Sequence, residues 1–256
     1  MGDLRRCADA VATFRHSVNL EPLVSKGPEA QRILVIAPHP DDEMLGAGGT
    51  LIAAIARGAC VKVLYLTVGK PEQRADLIRE TRVVADAVGY EPRFMGYFAR
   101  HLPLDDECIG KLRHEVLDFA PQVLMLPFFC DDHDDHRRAS HLLWLATRDL
   151  VSFHPIGVWA YQVYSALIPN VIVDITELAE RKRKAIAGWR CQAASRDWGH
   201  FALGLNAFNS RFLPQATSPR YAEAFFVVPL GEYLELCVNY FSGDAKPYYS
   251  NNYIES

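Results

Sequence analysis

Histidine and carboxylate side chains are concentrated in two short segments of the sequence, and this mixture suits metal chemistry. The segment "HPDDE" contains His39, Asp41, Asp42 and Glu43 and directly follows the apolar run "RILVIAP". The segment "CDDHDDHRR", residues 130–138, follows the apolar run "QVLMLPFF". Imidazole nitrogens combined with carboxylate oxygens fit Zn²⁺ or a neighbouring first-row divalent metal better than Mg²⁺ or Ca²⁺, which prefer oxygen ligands. Three protein ligands and one water would make such a site catalytic.

Each segment alone has a simpler interpretation. The acidic residues 41–43 could cap the following helix and complement its positive end, and "DDHDD" could be a solvated acidic loop. However, both segments follow apolar runs that are typical of strands buried in a parallel sheet. Because parallel strands end at the same edge of a sheet, where ligands bind in such folds, the combination favours one shared site.

The elements that must position this site form an alternating pattern of strands and helices. Predicted strands cover 33–37, 61–67, 92–97, 122–128, 158–164, 171–175 and 222–229, and predicted helices cover 49–57, 71–88, 109–119, 139–150 and 179–189. This pattern predicts an α/β fold with a mostly parallel sheet flanked by helices. The segment 195–220 lacks periodicity, so we expect an irregular functional or mobile loop there. The expected organisation is a helical N-terminal extension at 1–30, one catalytic domain at 31–235 and a C-terminal tail at 236–256.

Composition narrows the classes of function. The chain has 256 residues, of which 50% are apolar, enough for one sizeable hydrophobic core. A formal net charge of -4 argues against a nucleic-acid partner, which needs a basic surface. The beginning of the chain lacks the apolar stretch of a signal peptide, and no run approaches the ~18 residues needed to cross a bilayer. Six cysteines without a C-x-x-C pair favour reduced thiols. We therefore expect a cytoplasmic protein without a transmembrane segment.

The segments "APHPDDEMLGAGGTL" and "HDDHRRASHLL" resemble the two signatures of the PIG-L/LmbE-type zinc-dependent N-acetylglucosaminyl deacetylases. These signatures are a P/A-H-P-D-D-E loop after the first strand and a later H-x-D-H. Asp134 replaces a proline that is common in the second signature, and "RETRVVADAVG" resembles the family's R-E-x-x-x-x-A-x-x-x-G helix. The resemblance extends over residues 30–230. It implies a single-domain, Rossmann-like fold and hydrolysis of the acetamide of an N-acetylated sugar.

The resemblance also implies a role for each residue of the two signatures. By motif position, the zinc ligands would be His39, Asp42 and His136. The catalytic residues would be Asp41 as general base, His133 as oxyanion stabiliser or acid, and Asp135, which would orient a histidine. With zinc bound, such a site would hydrolyse the amide with a water of lowered pKa, releasing acetate and a free amine.

Substrate contacts follow less directly from the sequence. Candidates for binding polar or anionic groups of the substrate are Arg79, Arg82, Arg100, Tyr161 and Arg196. In "TVGKPEQ", Lys70 stands where many members of the family have a glutamate. The expected partner is a small N-acetylated sugar or glycoconjugate, and a homo-oligomer is compatible with the aromatic C-terminal third.

Three alternative functions are compatible with these patterns. The first is an amidase that uses the same metal site to cleave a larger acyl group from a sugar–thiol conjugate. The second is a noncatalytic sugar or nucleotide binder on a Rossmann-like scaffold. The third is a two-metal phosphoesterase, for which the second segment has spare carboxylates at Asp131, Asp132 and Asp134.

Overall fold

The computed structural model describes residues 21–150, 155–165, 167–193 and 196–241, and in these residues eight strands form one sheet. The strands are β1 Leu23–Ser25, β2 Arg32–Ala37, β3 Cys60–Thr67, β4 Glu91–Tyr97, β5 Val123–Pro127, β6 Gly157–Tyr161, β7 Val171–Asp174 and β8 Ala222–Pro229. The helices are α1 Asp42–Ala56, α2 Arg74–Val88, α3 Asp106–Phe119, α4 Asp134–Thr147, α5 Ala179–Ile186, α6 Arg190–Ala193, α7 Trp198–Asn209 and α8 Leu230–Phe241.

The sheet is mostly parallel and has the strand order β1-β7-β8-β6-β5-β2-β3-β4. β8 runs antiparallel to both of its neighbours, β6 and β7, whereas the other described pairings are parallel. β2 lies between β3 and β5, with Val35 opposite Val63 on one side and Met125 on the other. Because β2 and β5 are parallel neighbours, the loops that follow them lie side by side at one edge of the sheet.

Hydrophobic layers cover both faces of the sheet, which explains why the central strands are apolar throughout. Ile33, Val35 and Ala37 of β2 pack in one layer with side chains of α1, α2 and α5. Leu34 and Ile36 pack in the opposite layer with side chains of α3, α4 and α8. This arrangement confirms the predicted α/β fold class, a single domain with a mostly parallel, Rossmann-like sheet flanked by helices.

α1 begins seven residues earlier than the sequence pattern predicts, directly at Asp42. The acidic residues and glycines of this segment disfavour a helix prediction, but in the structure both kinds of residue have a place in the packing of the helix. Asp42 and Glu43 are buried in the first turn. Gly46 and Gly49 lie where a Cβ atom would collide with the side chains of Tyr161 and Ile175, so they permit close packing of α1.

The predicted irregular segment at 195–220 is wrong over α7, which is a regular helix. Its buried face carries small and polar residues, including Ala202, Asn206 and Asn209, whereas Phe201 and Phe208 are exposed. An ordinary amphipathic helix buries its large apolar residues and exposes its polar ones. This helix has the opposite distribution, so the hydrophobic periodicity gave no helical signal. The tail at 242–256 lies outside the described residues.

The predicted helical extension is also wrong where it can be compared, because residues 23–25 form β1, which pairs with β7. Residues 1–20 lie outside the described residues. The domain boundaries after residues 30 and 235 stay predictions, although α8 runs across the second of them. Across the described ranges, no helix is long and apolar enough to cross a membrane. The five cysteines among these residues are free thiols.

Candidate metal centre

The turn between β2 and α1 places the first acidic segment at the carboxyl edge of the sheet. Asp41 is the N-cap residue of α1 and has φ 108° and ψ −25°, a left-handed conformation that is uncommon outside glycine. Its backbone N–H donates to Glu43 Oε2 at 3.2 Å, and its carbonyl accepts the N–H of Met44 at 2.8 Å. Backbone strain of this kind is concentrated at functional sites.

The second segment reaches the same edge through β5 and α4. His133 is the N-cap of α4, and its Nδ1 accepts the backbone N–H of Asp135 at 3.1 Å. Asp135 and His136 follow in the first turn of α4, and both are fully buried. The structure therefore brings together the two segments that the sequence analysis expected to share one site.

His39, Asp42, His133, Asp135 and His136 form one cluster of side chains, and three of their atoms face one another. Asp42 Oδ2 lies 3.0 Å from His39 Nδ1 and 3.1 Å from His136 Nε2, and the two nitrogens are 3.4 Å apart. A tetrahedral zinc ion with bonds of about 2.0 to 2.1 Å needs its ligand atoms roughly 3.3 Å apart. The other oxygen of Asp42, Oδ1, is buried and has no hydrogen-bond partner. The donor types and their separations therefore fit a first-row divalent metal.

Each of these two histidines is held by a carboxylate at its other nitrogen. His39 Nε2 lies 2.9 Å from Asp135 Oδ2, which also accepts the backbone N–H of Arg100 at 2.7 Å. His136 Nδ1 lies 3.0 Å from Asp131 Oδ1. Such outer carboxylates fix the ring orientation and tautomer of metal-binding histidines.

His133 belongs to the same cluster but makes different contacts. The ligand nitrogens of His39, His133 and His136 lie within 4.8 Å of one another, so three histidines are also a possible ligand group. However, His133 Nδ1 already accepts a hydrogen bond, which places the proton of the neutral ring on Nε2. In this neutral tautomer Nε2 is a hydrogen-bond donor.

The cluster shifts the pKa values of its members in opposite directions. Burial raises the pKa of the Asp42 carboxyl, but the imidazoles of His136 and His39 outweigh burial and hold that pKa well below its usual range. Burial lowers the pKa of His136, yet Asp42 and Asp131 raise it to about 9. Burial and the neighbouring imidazoles lower the pKa of His133 to about 4, so this ring is neutral at pH 7.

Asp41 and Glu43 are buried acids at the beginning of α1, next to the cluster. Burial, followed by the charges of Asp42 and Glu43, raises the pKa of Asp41 well above its usual value. Burial also raises the pKa of Glu43 to about 7. Glu43 Oε1 accepts the hydroxyls of Tyr65 at 2.6 Å and Tyr90 at 2.9 Å, and its Oε2 accepts the N–H of Asp41. This network fixes the turn that contains Asp41.

The predicted substrate contacts are distributed unevenly around the cluster. Arg100 contributes a backbone N–H to Asp135, has φ 65°, and exposes its side chain. Tyr161 is fully buried, and its pKa is raised by burial and by nearby carboxylates, Asp42 first among them. Arg79 and Arg82 lie exposed on α2, where Arg79 pairs with Asp76. No contact joins these two arginines to the cluster in the described part of the chain.

The sequence analysis missed two residues that contact the cluster. The sequence suggests Asp131 only as a spare carboxylate for a second metal, but its Oδ1 lies 3.0 Å from His136 Nδ1. Tyr164 lies in a segment predicted as strand; the strand ends at Tyr161, and the Tyr164 ring stacks on His136 with a centroid distance of 5.2 Å. Its position after a strand at the carboxyl edge was the available signal.

A row of aromatic rings leads from the cluster to the surface. The ring of Trp198 lies 6.1 Å from Tyr164, and that of Phe201 lies 6.2 Å from Trp198. The guanidinium of Arg196 lies over both outer rings, 5.3 Å from Trp198 and 5.1 Å from Phe201. Tyr164 and Phe201 are 42% and 53% exposed, so this row is open to a ligand.

Comparison with known proteins supports the interpretation of the cluster. Residues 34–147 match the family model described as "PIG-L: GlcNAc-PI de-N-acetylase". A diacetylchitobiose deacetylase from Thermococcus kodakarensis is 25% identical over 234 residues, which cover 82% of this chain and 87% of that protein.

Solved structures show the same fold. The N,N'-diacetylchitobiose deacetylase from Pyrococcus horikoshii superposes with a TM-score of 0.68 at 25% identity, covering 78% of this chain and 85% of that one. A conserved protein from Thermus thermophilus superposes with a TM-score of 0.62 at 26% identity, covering 75% of this chain and 92% of that one. The residues that match the PIG-L family model, 34–147, contain every histidine and aspartate of the cluster.

Proposed function

We propose that this protein is a zinc-dependent N-deacetylase that hydrolyses the acetamide of an N-acetylated sugar or glycoconjugate, releasing acetate and a free amine. The observation that carries the proposal is the group formed by His39 Nδ1, His136 Nε2 and Asp42 Oδ2, whose atoms lie 3.0 to 3.4 Å apart. Two nitrogens and one carboxylate oxygen are a ligand set typical of catalytic zinc.

His39, Asp42 and His136 would hold the metal, because their inward atoms face one another and the outer nitrogens of the rings face carboxylates. When bound, zinc supplies a water whose pKa is lowered to about 7 and a Lewis acid for the amide carbonyl. Asp135 orients His39 through its 2.9 Å contact with Nε2.

Asp41 is the proposed general base. It precedes the ligand Asp42 in the chain, is only 4% exposed, and has a pKa raised by burial and by its acidic neighbours. A base is most effective when its pKa lies near the working pH, so this shift increases its capacity to take the proton of the attacking water. The same proton is then available for the departing amine.

His133 is the proposed stabiliser of the oxyanion. Because its Nδ1 accepts the N–H of Asp135, the neutral ring directs an N–H group from Nε2 toward a ligand. A preorganised donor of this kind stabilises negative charge as it develops on the carbonyl oxygen. The low pKa of the ring favours this neutral donor role over the role of an acid.

The aromatic row formed by Tyr164, Trp198 and Phe201 is the proposed contact for the rest of the substrate. It begins at His136 and leads outward, so a group attached to the N-acetylated sugar would lie along it. Large aromatic side chains provide contact area with few rotatable bonds. The expected homo-oligomer, the cytoplasmic location and the absence of a nucleic-acid partner stay predictions.

The test is acetate release by the zinc-loaded protein from N-acetylglucosamine, diacetylchitobiose, and nucleotide-linked and lipid-phosphate-linked N-acetylhexosamines. We expect Asp41→Asn to keep one equivalent of metal and lose about 10² to 10⁴ in rate. The control Asp86→Asn removes the same charge from an exposed position on α2 and should behave as the wild type.

Three results would contradict the proposal in different ways. Equal rates in wild type and Asp41→Asn would rule out Asp41 as the general base. Bound metal without acetate release from any substrate would favour the amidase that cleaves a larger acyl group. Sugar binding that survives metal removal, without hydrolysis, would favour the noncatalytic binder.

A further inference from the structure

Asp131 makes contacts with two separate parts of the candidate site. It lies in the turn after β5 and is 2% exposed. Its Oδ1 accepts the N–H of His133 at 3.0 Å and lies 3.0 Å from His136 Nδ1. Its Oδ2 accepts the N–H groups of Tyr164 at 3.0 Å and Ser165 at 3.4 Å. One buried carboxylate thus joins the α4 side of the cluster to the loop after β6.

The contact with His136 determines which of its nitrogens faces inward. The 3.0 Å approach of Nδ1 to a carboxylate favours a proton on that nitrogen, so the neutral ring presents the lone pair of Nε2 to His39 and Asp42. The hydrogen bond from His133 N–H to the same oxygen prevents this carboxylate from rotating away. The ring therefore has one orientation in which Nε2 can serve as a ligand.

The second oxygen holds the loop that contacts the opposite side of the same ring. Tyr164 stacks on His136 with the two rings 17° from parallel. Because its backbone N–H donates to Asp131, the position of the Tyr164 ring depends on the same carboxylate that orients His136. His136 is consequently held at its edge by Asp131 and at its face by a residue that Asp131 positions.

We propose that Asp131 is a positioning residue that fixes the metal-binding orientation of His136 and, at the same time, holds Tyr164 against that ring. The inference rests on the proposed function, since it takes His136 as a metal ligand. It also excludes Asp131 as a ligand for a second metal, because both of its oxygens are engaged.

Asp131→Asn is the informative substitution because an amide cannot replace both oxygens. If the amide oxygen faces His136, the NH₂ group meets the two backbone N–H groups of Tyr164 and Ser165, which are also donors. If the side chain turns around, the NH₂ group meets His136 Nδ1 and favours the wrong tautomer. Asp131→Ala removes both sets of contacts.

The matched control is Asp132→Asn. It makes the same change in charge at the neighbouring residue, whose side chain is exposed. Zinc affinity is measured by competition with a chromophoric chelator, in the absence of substrate. Hydrogen exchange of the peptide containing Tyr164 and Ser165, followed by mass spectrometry, reports on the loop.

We expect Asp131→Asn and Asp131→Ala to weaken zinc binding about 10- to 100-fold, the effect usual for outer carboxylates of metal sites. The Tyr164 and Ser165 amides should exchange faster in both variants, whereas Asp132→Asn should match the wild type in both measurements. Folding is checked by circular dichroism, and if Asp131→Ala does not fold, Asp131→Asn carries the test.

Wild-type zinc affinity in a folded Asp131→Asn protein would overturn the inference, even if its thermal stability fell, because Asp131 would then act on the fold alone. Unchanged loop exchange would overturn the link to Tyr164. Failure of the proposed function is distinguishable, since a wild type that binds zinc tightly but releases no acetate still allows the affinity comparison. A wild type without zinc affinity would refute both.

Discussion

Lys182 of α5 and Glu223 of β8 form an ion pair in which both side chains are fully buried, with Nζ and Oε1 2.8 Å apart. The ammonium also donates to the carbonyl of Leu45 and to Asn206 Oδ1, each at 2.8 Å. Leu45 lies in α1, one turn after the candidate metal ligand Asp42. The ion pair therefore stabilises the helix that begins at the site.

Glu223, the acidic partner of the ion pair, contacts the same helix. Its two oxygens accept the N–H groups of Gly49 and Thr50, each at 2.8 Å. The Gly49 N–H and the Leu45 carbonyl, which lie four residues apart in the middle of α1, thus both contact the ion pair. Removing one charge consequently leaves the other buried and also disturbs the middle of α1.

Lys182→Met removes the ammonium and its three hydrogen bonds, while Glu223 keeps two backbone donors. Breaking a buried pair in this way costs about 3 to 5 kcal/mol in unfolding free energy. Adding Glu223→Gln removes the uncompensated charge, so the double variant should be more stable than the sum of the two single effects, by about 0.5 to 3 kcal/mol. The neighbouring pair Arg183–Glu180 is exposed, and Arg183→Met should leave the unfolding midpoint close to wild type.

Urea unfolding followed by tryptophan fluorescence measures all four variants, with a chelator present so that metal binding does not contribute to stability. The reasoning is refuted if Lys182→Met unfolds within about 1 kcal/mol of wild type. It is equally refuted if Arg183→Met is as destabilising as Lys182→Met, or if the effects of Lys182→Met and Glu223→Gln are additive.

Other predictions address the site and its surroundings. Asp42→Ala should lose most of the bound metal and the acetate release together, and a metal-loaded, active variant would contradict the assigned ligand set. Phe201→Ala should raise KM for diacetylchitobiose more than for N-acetylglucosamine, whereas Phe208→Ala, at another exposed position on α7, should leave both values unchanged. Gly46→Ala should destabilise the fold by about 1 to 3 kcal/mol, because its methyl group would overlap a buried tyrosine ring. The control Gly204→Ala, where a Cβ meets no atom within 4 Å, should be neutral or stabilising in the same denaturation assay.

The shared site was predictable because its segments follow strongly apolar strands. β2 and β5 are buried along almost their whole length, and parallel pairing brings their ends together. The identity of the outer carboxylates was not predictable in the same way. "DDHDD" offers four aspartates, and only the path of the turn after β5 decides that Asp131 and Asp135 are buried while Asp132 and Asp134 are exposed.

The burial of Lys182 in α5 was likewise not predictable from the sequence. In "AERKRKAI" it is one of four basic residues, and by residue type the segment reads as a solvated surface helix. The structure buries Lys182 completely because its position faces α1 and β8, whereas its neighbours Arg183 and Lys184 point to solvent. A buried cation is recognisable only together with its anion, and Glu223 lies 41 residues away in an otherwise apolar strand.

The charges at the cluster favour a divalent over a monovalent metal ion. The pKa values of Asp42, Asp131 and Asp135 are lowered chiefly by imidazoles, against the opposing effect of burial, so all three are anionic at neutral pH. The same carboxylates overcome burial and raise the pKa values of His39 and His136, which therefore favour two extra protons. A divalent cation that displaces these two protons leaves the net charge of the buried cluster unchanged. A monovalent ion in their place would leave the three buried carboxylates with two uncompensated negative charges, an arrangement that proteins tolerate poorly.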